Sequence, residues 1–108
     1  MDATYSVVFI TAPNREVGRT VANHLVKGEL AACVNITAPV RSIYRWQGKV
    51  EREEEILMLC KTRRDLFEPA LTTAVKSLHP YTVPEIIALP IEMGSGAYLD
   101  WIQAETRA

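Results

Sequence analysis

The chain is poor in the features that usually announce a function. Its 108 residues contain two cysteines, Cys33 and Cys60, with no CxxC spacing, so neither a disulfide framework nor a cysteine-rich zinc cluster is written into it. Both lie inside apolar segments and read as reduced core thiols, with a disulfide or metal role as the alternative. No apolar run approaches the roughly 20 residues of a membrane span. Met1-Asp2-Ala3-Thr4 carries no basic n-region, so a secretory leader is not expected and the chain is placed in the cytoplasm. An excess of one charge is also missing. The formal net charge is −1, and basic residues alternate with acids, as in Lys49-Val50-Glu51-Arg52-Glu53. That pattern gives no basic stripe for nucleic acid or an anionic membrane to track. There is no GxSxG, GxGxxG or HExxH, and Gly94-Ser95-Gly96 lacks the lysine and threonine of a phosphate loop. Nothing supports catalysis, and the chain is read as a non-enzyme.

What remains is an ordinary globular composition, 48% hydrophobic and 23% charged, in a length that fits one domain over residues 1–108. Thr4 to Thr11 is short, β-branched and almost uninterrupted, as in a strand buried on both faces. Asn14 is a good N-cap with Glu16 in the first turn, and Gly28 is a stop. Between them Val17, Val21, Ala22, Leu25 and Val26 recur at helical spacing. Leu30 to Ile36 is a second apolar run, bent or broken by Pro39. Val40 to Trp46 then alternates, with Val40, Ser42, Tyr44 and Trp46 on one side and Arg41, Ile43 and Arg45 on the other. Gln47-Gly48-Lys49 reads as a hairpin turn, and Val50 to Thr62 as the returning strand. Each arm of about 12 residues spans roughly 40 Å. A domain of this size has a radius near 13 Å, so the tip should project and need partner subunits to cover it.

Thr62 and Asp65 resemble a capping box opening a second helix, whose buried face is Phe67, Leu71, Ala74, Val75 and Leu78. Pro69 is awkward within it. Pro84 to Ile91 reads as a strand, with Pro90 arguing for an edge. Ser95 is a candidate N-cap for a short last helix through Tyr98, Leu99 and Ile102. The order β-α-β-β-α-β plus a terminal helix is the ferredoxin-like α/β (α+β) pattern.

Special residues are densest in His79-Pro80-Tyr81-Thr82-Val83-Pro84-Glu85, where two prolines fix an extended backbone. His79 and Glu85 are candidate ligands for a copper- or zinc-like ion, although a structural zinc site needs four. The alternative is loop bracing by hydrogen bonds from His79, Tyr81 and Glu85. His24 reads as a surface histidine. The run Glu51, Glu53, Glu54, Glu55 could attract cations, but alternation splits it between two faces. Ion pairing with Arg41, Arg45 or Arg52 across the hairpin is the preferred expectation.

Taken in order, Thr11-Ala12-Pro13, Leu30-Ala31-Ala32-Cys33-Val34-Asn35, the segment from Ser42 to Glu51, Lys61-Thr62, the segment from His79 to Glu85 and Tyr98-Leu99-Asp100-Trp101 resemble the CutA divalent-cation-tolerance family over nearly the whole chain. The resemblance implies a PII-like homotrimer whose long hairpins pack on neighbouring subunits, and a link to divalent-metal tolerance, copper in particular. Metal ligands implied by the family carry over as His79 and Glu85. A cysteine ligand at the end of the first strand does not, because Ile10 stands there, and Leu78 occupies a position where some members have a second histidine. The chain is therefore expected to be a weakly metal-binding trimer, with divalent metal ions and its own copies as partners. A PII-like regulatory module binding a small molecule or partner protein at subunit clefts is the second expectation.

Overall fold

The computed structural model describes residues 4–107, so the leader expectation, which rests on the first residues, lies largely outside them. Among the described residues five strands and three α-helices follow one another as β1 (Tyr5–Ala12), α1 (Arg15–Lys27), β2 (Cys33–Ile36), β3 (Val40–Trp46), β4 (Lys49–Arg63), α2 (Thr72–Leu78), β5 (Ile86–Pro90) and α3 (Gly96–Glu105). All pairings are antiparallel, in the order β2-β4-β1-β5, with β3 on the outer half of β4. This is the expected ferredoxin-like arrangement.

Period-two alternation decides which face of β1 is buried. Ser6, Val8, Ile10 and Ala12 point to α1 and α2, with Val8, Ile10 and Ala12 fully excluded from solvent beside Val21, Leu25, Met58, Cys60, Leu71 and Val75. Each valine, leucine, isoleucine or methionine among them contributes about 1.5–3 kcal/mol by leaving water. The other face corrects the expectation of burial on both sides. Tyr5, Val7 and Phe9 are only half-buried, because α3 covers just one end of that face, where Tyr5 Oη donates to Gln103 Oε1 at 3.3 Å. Across from them Ile87 and Leu89 of β5 are 51% and 49% exposed.

The α1 caps follow the sequence, with one change. Asn14 Oδ1 accepts from the Val17 amide at 2.9 Å, and the helix ends at Lys27. Gly28, however, has φ −83°, and Glu29 takes the left-handed conformation at φ 60°. Gly28 is needed for space, since a Cβ there would lie 3.0 Å from the His24 carbonyl oxygen. Glu29→Gly should therefore stabilise the chain by about 0.5–1 kcal/mol, the left-handed penalty less the added chain entropy, measured by urea unfolding.

The hairpin is longer on one side than expected. β4 runs unbroken for 15 residues, pairing with β2 at one end and β3 at the other, while Thr37 to Pro39 interrupt the opposing arm. The turn is the two residues Gln47 and Gly48, both at positive φ, which fits a hairpin twist. The molecule measures 43 × 27 × 26 Å along its principal axes.

The second helix starts later than the capping-box pattern suggests. Thr62 stays in β4, and its hydroxyl donates to the Leu30 carbonyl at 2.6 Å. Arg63 pairs with Asp65 at 2.9 Å and also reaches Thr106 and the Arg107 carbonyl, fastening the end of the chain to β4. A 3₁₀ turn at Arg64–Leu66 follows, Glu68 is extended before a cis Pro69, and regular helix begins only at Thr72. Pro69 thus divides the segment rather than kinking a continuous helix, because its ring cannot follow a helical residue without a clash. The α3 N-cap is Ser95, but its hydroxyl makes no capping bond. No helix among the described residues is long and apolar enough to cross a membrane.

Candidate functional site

Beyond Ile86, which pairs with Ile10, β5 no longer covers the edge of β1, and the next carbonyl, Thr11, is open to a different donor. His79 supplies it. The residue follows directly on α2, its amide bonded to the Val75 carbonyl at 3.0 Å, and Pro80 holds the chain extended behind it. His79 Nε2 lies 2.6 Å from Thr11 O, and the Tyr81 amide lies 3.2 Å from Nδ1. A carbonyl can only accept and an amide can only donate, so Nε2 carries the proton and Nδ1 presents its lone pair to Tyr81. The ring is 7% exposed and packs at 4.7 Å against the Tyr81 ring. Both nitrogens are engaged, and the imidazole braces the loop.

In front of this brace the loop and the hairpin enclose an open cleft of about 700 Å³, with Tyr81, Val83 and Glu85 on one wall and Tyr44, Trp46, Glu51, Glu53 and Glu55 on the other. Glu85 is exposed at this cleft and His79 is not among its lining residues. The two sequence-selected residues therefore flank the same loop from different sides. Register explains the opposite wall. Tyr44 pairs with Glu51, Ser42 with Glu53 and Val40 with Glu55, which puts three carboxylates of β4 on the face of Tyr44 and Trp46. Arg41, Arg52 and Glu54 fall on the other face, with Arg41 opposite Glu54. The expected ion pairing is thus corrected for Glu51, Glu53 and Glu55, which cannot meet arginines across a pleat that points them away.

Those carboxylates meet tyrosines instead. Tyr81 Oη lies 3.4 Å from Glu53 Oε2 and 3.4 Å from Glu55 Oε2, one proton serving two long contacts, and Glu55 is only 7% exposed. Burial, with the charges of Glu55 and Glu53 behind it, pushes the Tyr81 phenol up to about 12, and the hydrogen bond to Glu53 raises that of Tyr44. Burial, and then Glu55, raises the Glu85 carboxyl as well. For Tyr81 the sign is that of an acid whose folded pKa exceeds the ordinary value near 10. Its contribution to stability is complete below about pH 10 and is lost as pH rises toward 12. Tyr81→Phe should flatten that alkaline limb in a pH series of urea midpoints.

The remaining candidates lie apart from the cleft. Ile10 is fully buried in the core and Leu78 packs against it, so neither position offers a donor. Cys60 is buried, its thiol pushed up to about 12 chiefly by desolvation, and Cys33 pairs with Lys61 on β4, so the two thiols of this sheet point to opposite faces. His24 is exposed, as expected. Among the described residues no three of His, Cys, Asp and Glu converge closely enough to hold a metal ion.

Comparison with known proteins agrees with the fold. Residues 6–105 match the family model described as CutA1 divalent ion tolerance protein. A divalent-cation tolerance protein CutA of Thermus thermophilus is 56% identical over 93% of this chain and 96% of its own length. The chloroplastic CutA of Arabidopsis thaliana is 52% identical over 94% of this chain, which spans only 55% of that longer protein. A solved structure of the Thermus thermophilus Cut A1 protein superposes with a TM-score of 0.93 at 54% identity, covering 95% of this chain and 99% of that one. The chain belongs to the CutA1 divalent ion tolerance family.

Proposed function

We propose that residues 1–108 form one non-catalytic domain that acts in divalent-cation tolerance as a cytoplasmic homotrimer, meeting its cation weakly at the acidic cleft beside the His79–Glu85 loop. The observation that carries this is the composition of the cleft: four carboxylates, Glu51, Glu53, Glu55 and Glu85, and no basic residue among those lining it. Oxygen donors spread along an open wall suit an ion that keeps much of its water, rather than one stripped into a closed four-ligand cage. Such an ion is cargo and is easily released. Copper, which favours imidazole nitrogen, would recruit His79 beside Glu85 only if the Tyr81 amide released Nδ1. Cation binding should weaken on acidification, and should do so at a higher pH than at a solvated glutamate, because burial and then Glu55 make Glu85 hold its proton more tightly.

The trimer is supported by apolar surface that one chain leaves open. Ile87 and Leu89 on β5, and Ile43, Trp46 and Val50 on the hairpin, are each between 47% and 64% exposed. A two-stranded ribbon with such residues is marginal alone in water, and neighbouring copies would cover it.

Calorimetric titration with Cu²⁺, Zn²⁺ and Mn²⁺ tests the site. Glu85→Gln is expected to lower divalent affinity about tenfold, whereas Glu54→Gln, on the opposite face, should leave it within twofold. Equal affinities for wild type and Glu85→Gln would remove the cleft from the account. The volume and aromatic lining of the cleft favour a second, PII-like role in which it receives a small molecule, since ligand pockets commonly enclose about 300–1,000 Å³.

A further inference from the structure

The projecting ribbon of β3 and β4 has two unlike faces. The register puts a ladder of carboxylates, Glu51, Glu53 and Glu55, on one face with Tyr44 and Trp46. Arg41, Arg45 and Arg52 leave the opposite face beside Ile43 and Val50. Three carboxylates against Lys49 on the first face, and three arginines against Glu54 on the second, leave net charges of −2 and +2. The arginines are exposed, and among the described residues none of the three has an ion pair or a side-chain hydrogen bond. Ile43 and Val50 beside them are 64% and 48% exposed.

Each face presents what the other lacks. A guanidinium group matches a carboxylate with paired donors and also stacks on an aromatic ring, and the first face offers both partners side by side. Ile43 and Val50 in turn give Trp46 apolar surface to lie on. Within one chain the two faces cannot meet, because the pleat directs them apart. A second copy of the chain carries both complements.

Symmetry decides how two copies can use them. A two-fold pair sets one patch against itself, carboxylate on carboxylate or arginine on arginine, and like charges repel. A head-to-tail contact sets unlike faces together, and repeated by rotation it closes into a ring. We propose that the arginine face of each hairpin seats on the carboxylate face of the next copy's hairpin, so that the two-sided charge of the ribbon makes the assembly cyclic. This rests on the homotrimer proposed above and specifies a contact within it. Glu51 and Glu53, nearer the hairpin tip, form the contact, which leaves Glu85 at the loop for a cation.

Exchanging charges across the contact tests it. Arg45→Glu/Arg52→Glu and Glu51→Lys/Glu53→Lys alter residues that stand opposite Val50, Ile43, Tyr44 and Ser42, so neither variant puts a like charge directly across the ribbon. In a dilution series followed by light scattering, each should dissociate at a protein concentration at least tenfold above that of the wild type. All four changes together should bring dissociation back to within threefold, because the faces again match. Glu51→Lys/Glu53→Lys combined with Arg15→Glu/Arg19→Glu on α1 also restores the net charge of −1, but with mismatched ribbons, and should stay dissociated. Equal recovery in that control would reduce the effect to net charge and overturn the proposal, as would two-residue variants that assemble like the wild type. A wild type of single-chain mass at every concentration would remove the homotrimer itself, whereas a trimeric wild type whose variants the exchange does not rescue removes this contact alone. Circular dichroism verifies that each variant is folded. Arg45→Gln/Arg52→Gln, which adds no charge to the ribbon, should still weaken assembly by a factor of about three or more.

Discussion

Replacing His79 with alanine is expected to destabilise the metal-free protein by about 2–4 kcal/mol. The substitution removes a ring that is 93% buried, from its 7% exposure, and leaves the Thr11 carbonyl and the Tyr81 amide without their partner. Each buried polar group so abandoned costs about 1–3 kcal/mol, and the void beside Tyr81 adds a cavity penalty. Urea unfolding at fixed protein concentration, in chelator-treated buffer, measures the loss with no metal to bind. A change below about 0.5 kcal/mol would mean that the imidazole bonds contribute little net stability, and that His79 is free to act as a ligand. His79→Gln, which can still donate to Thr11, should recover part of the loss.

Ile87→Asp should convert the proposed homotrimer to monomers. Among the described residues β5 pairs with β1 alone, and its outward residues Ile87 and Leu89 stand opposite Phe9 and Val7, on the part of that sheet face left open beyond the end that α3 covers. In one chain Ile87 is half-exposed, so an aspartate there keeps its hydration and costs the fold little. Between subunits the same charge would be taken from water with no partner, at a cost of several kcal/mol for each of the symmetry-related copies. Light scattering coupled to gel filtration should find a mass near 12.1 kDa for the variant. The wild type should run at about three times that mass. A variant that keeps the wild-type mass would show that this face is not the one the subunits share.

Local chemistry made most of the fold legible. Asn14 does cap α1, the alternation from Val40 to Trp46 is the pleat of β3, and the turn at Gln47 and Gly48 was marked by its glycine. The misreadings came from tertiary competition. Thr62 looks like a helix cap in isolation, but the Leu30 carbonyl claims its hydroxyl and keeps it in β4. β1 looks doubly buried because Val7 and Phe9 are as apolar as Val8 and Ile10, and only the short reach of α3 separates the two faces. At the site, Glu85 and the rigid loop were visible as a motif, but the occupancy of both His79 nitrogens was not, since Thr11 is 68 residues away. The carboxylate ladder was within reach of the sequence. A two-residue turn fixes Tyr44 opposite Glu51, and alternation then carries Glu53 and Glu55 to the same face and Arg52 and Glu54 to the other.

Cations are proposed to meet this protein at the cleft between the hairpin and the His79–Glu85 loop. Anomalous scattering from crystals soaked in Mn²⁺ tests it most directly. A peak is expected in the cleft, against one or two of the carboxylates of Glu51, Glu53, Glu55 and Glu85, with His79 still bonded to Thr11 and Tyr81. A peak on His24 or Cys33 with none in the cleft would contradict it.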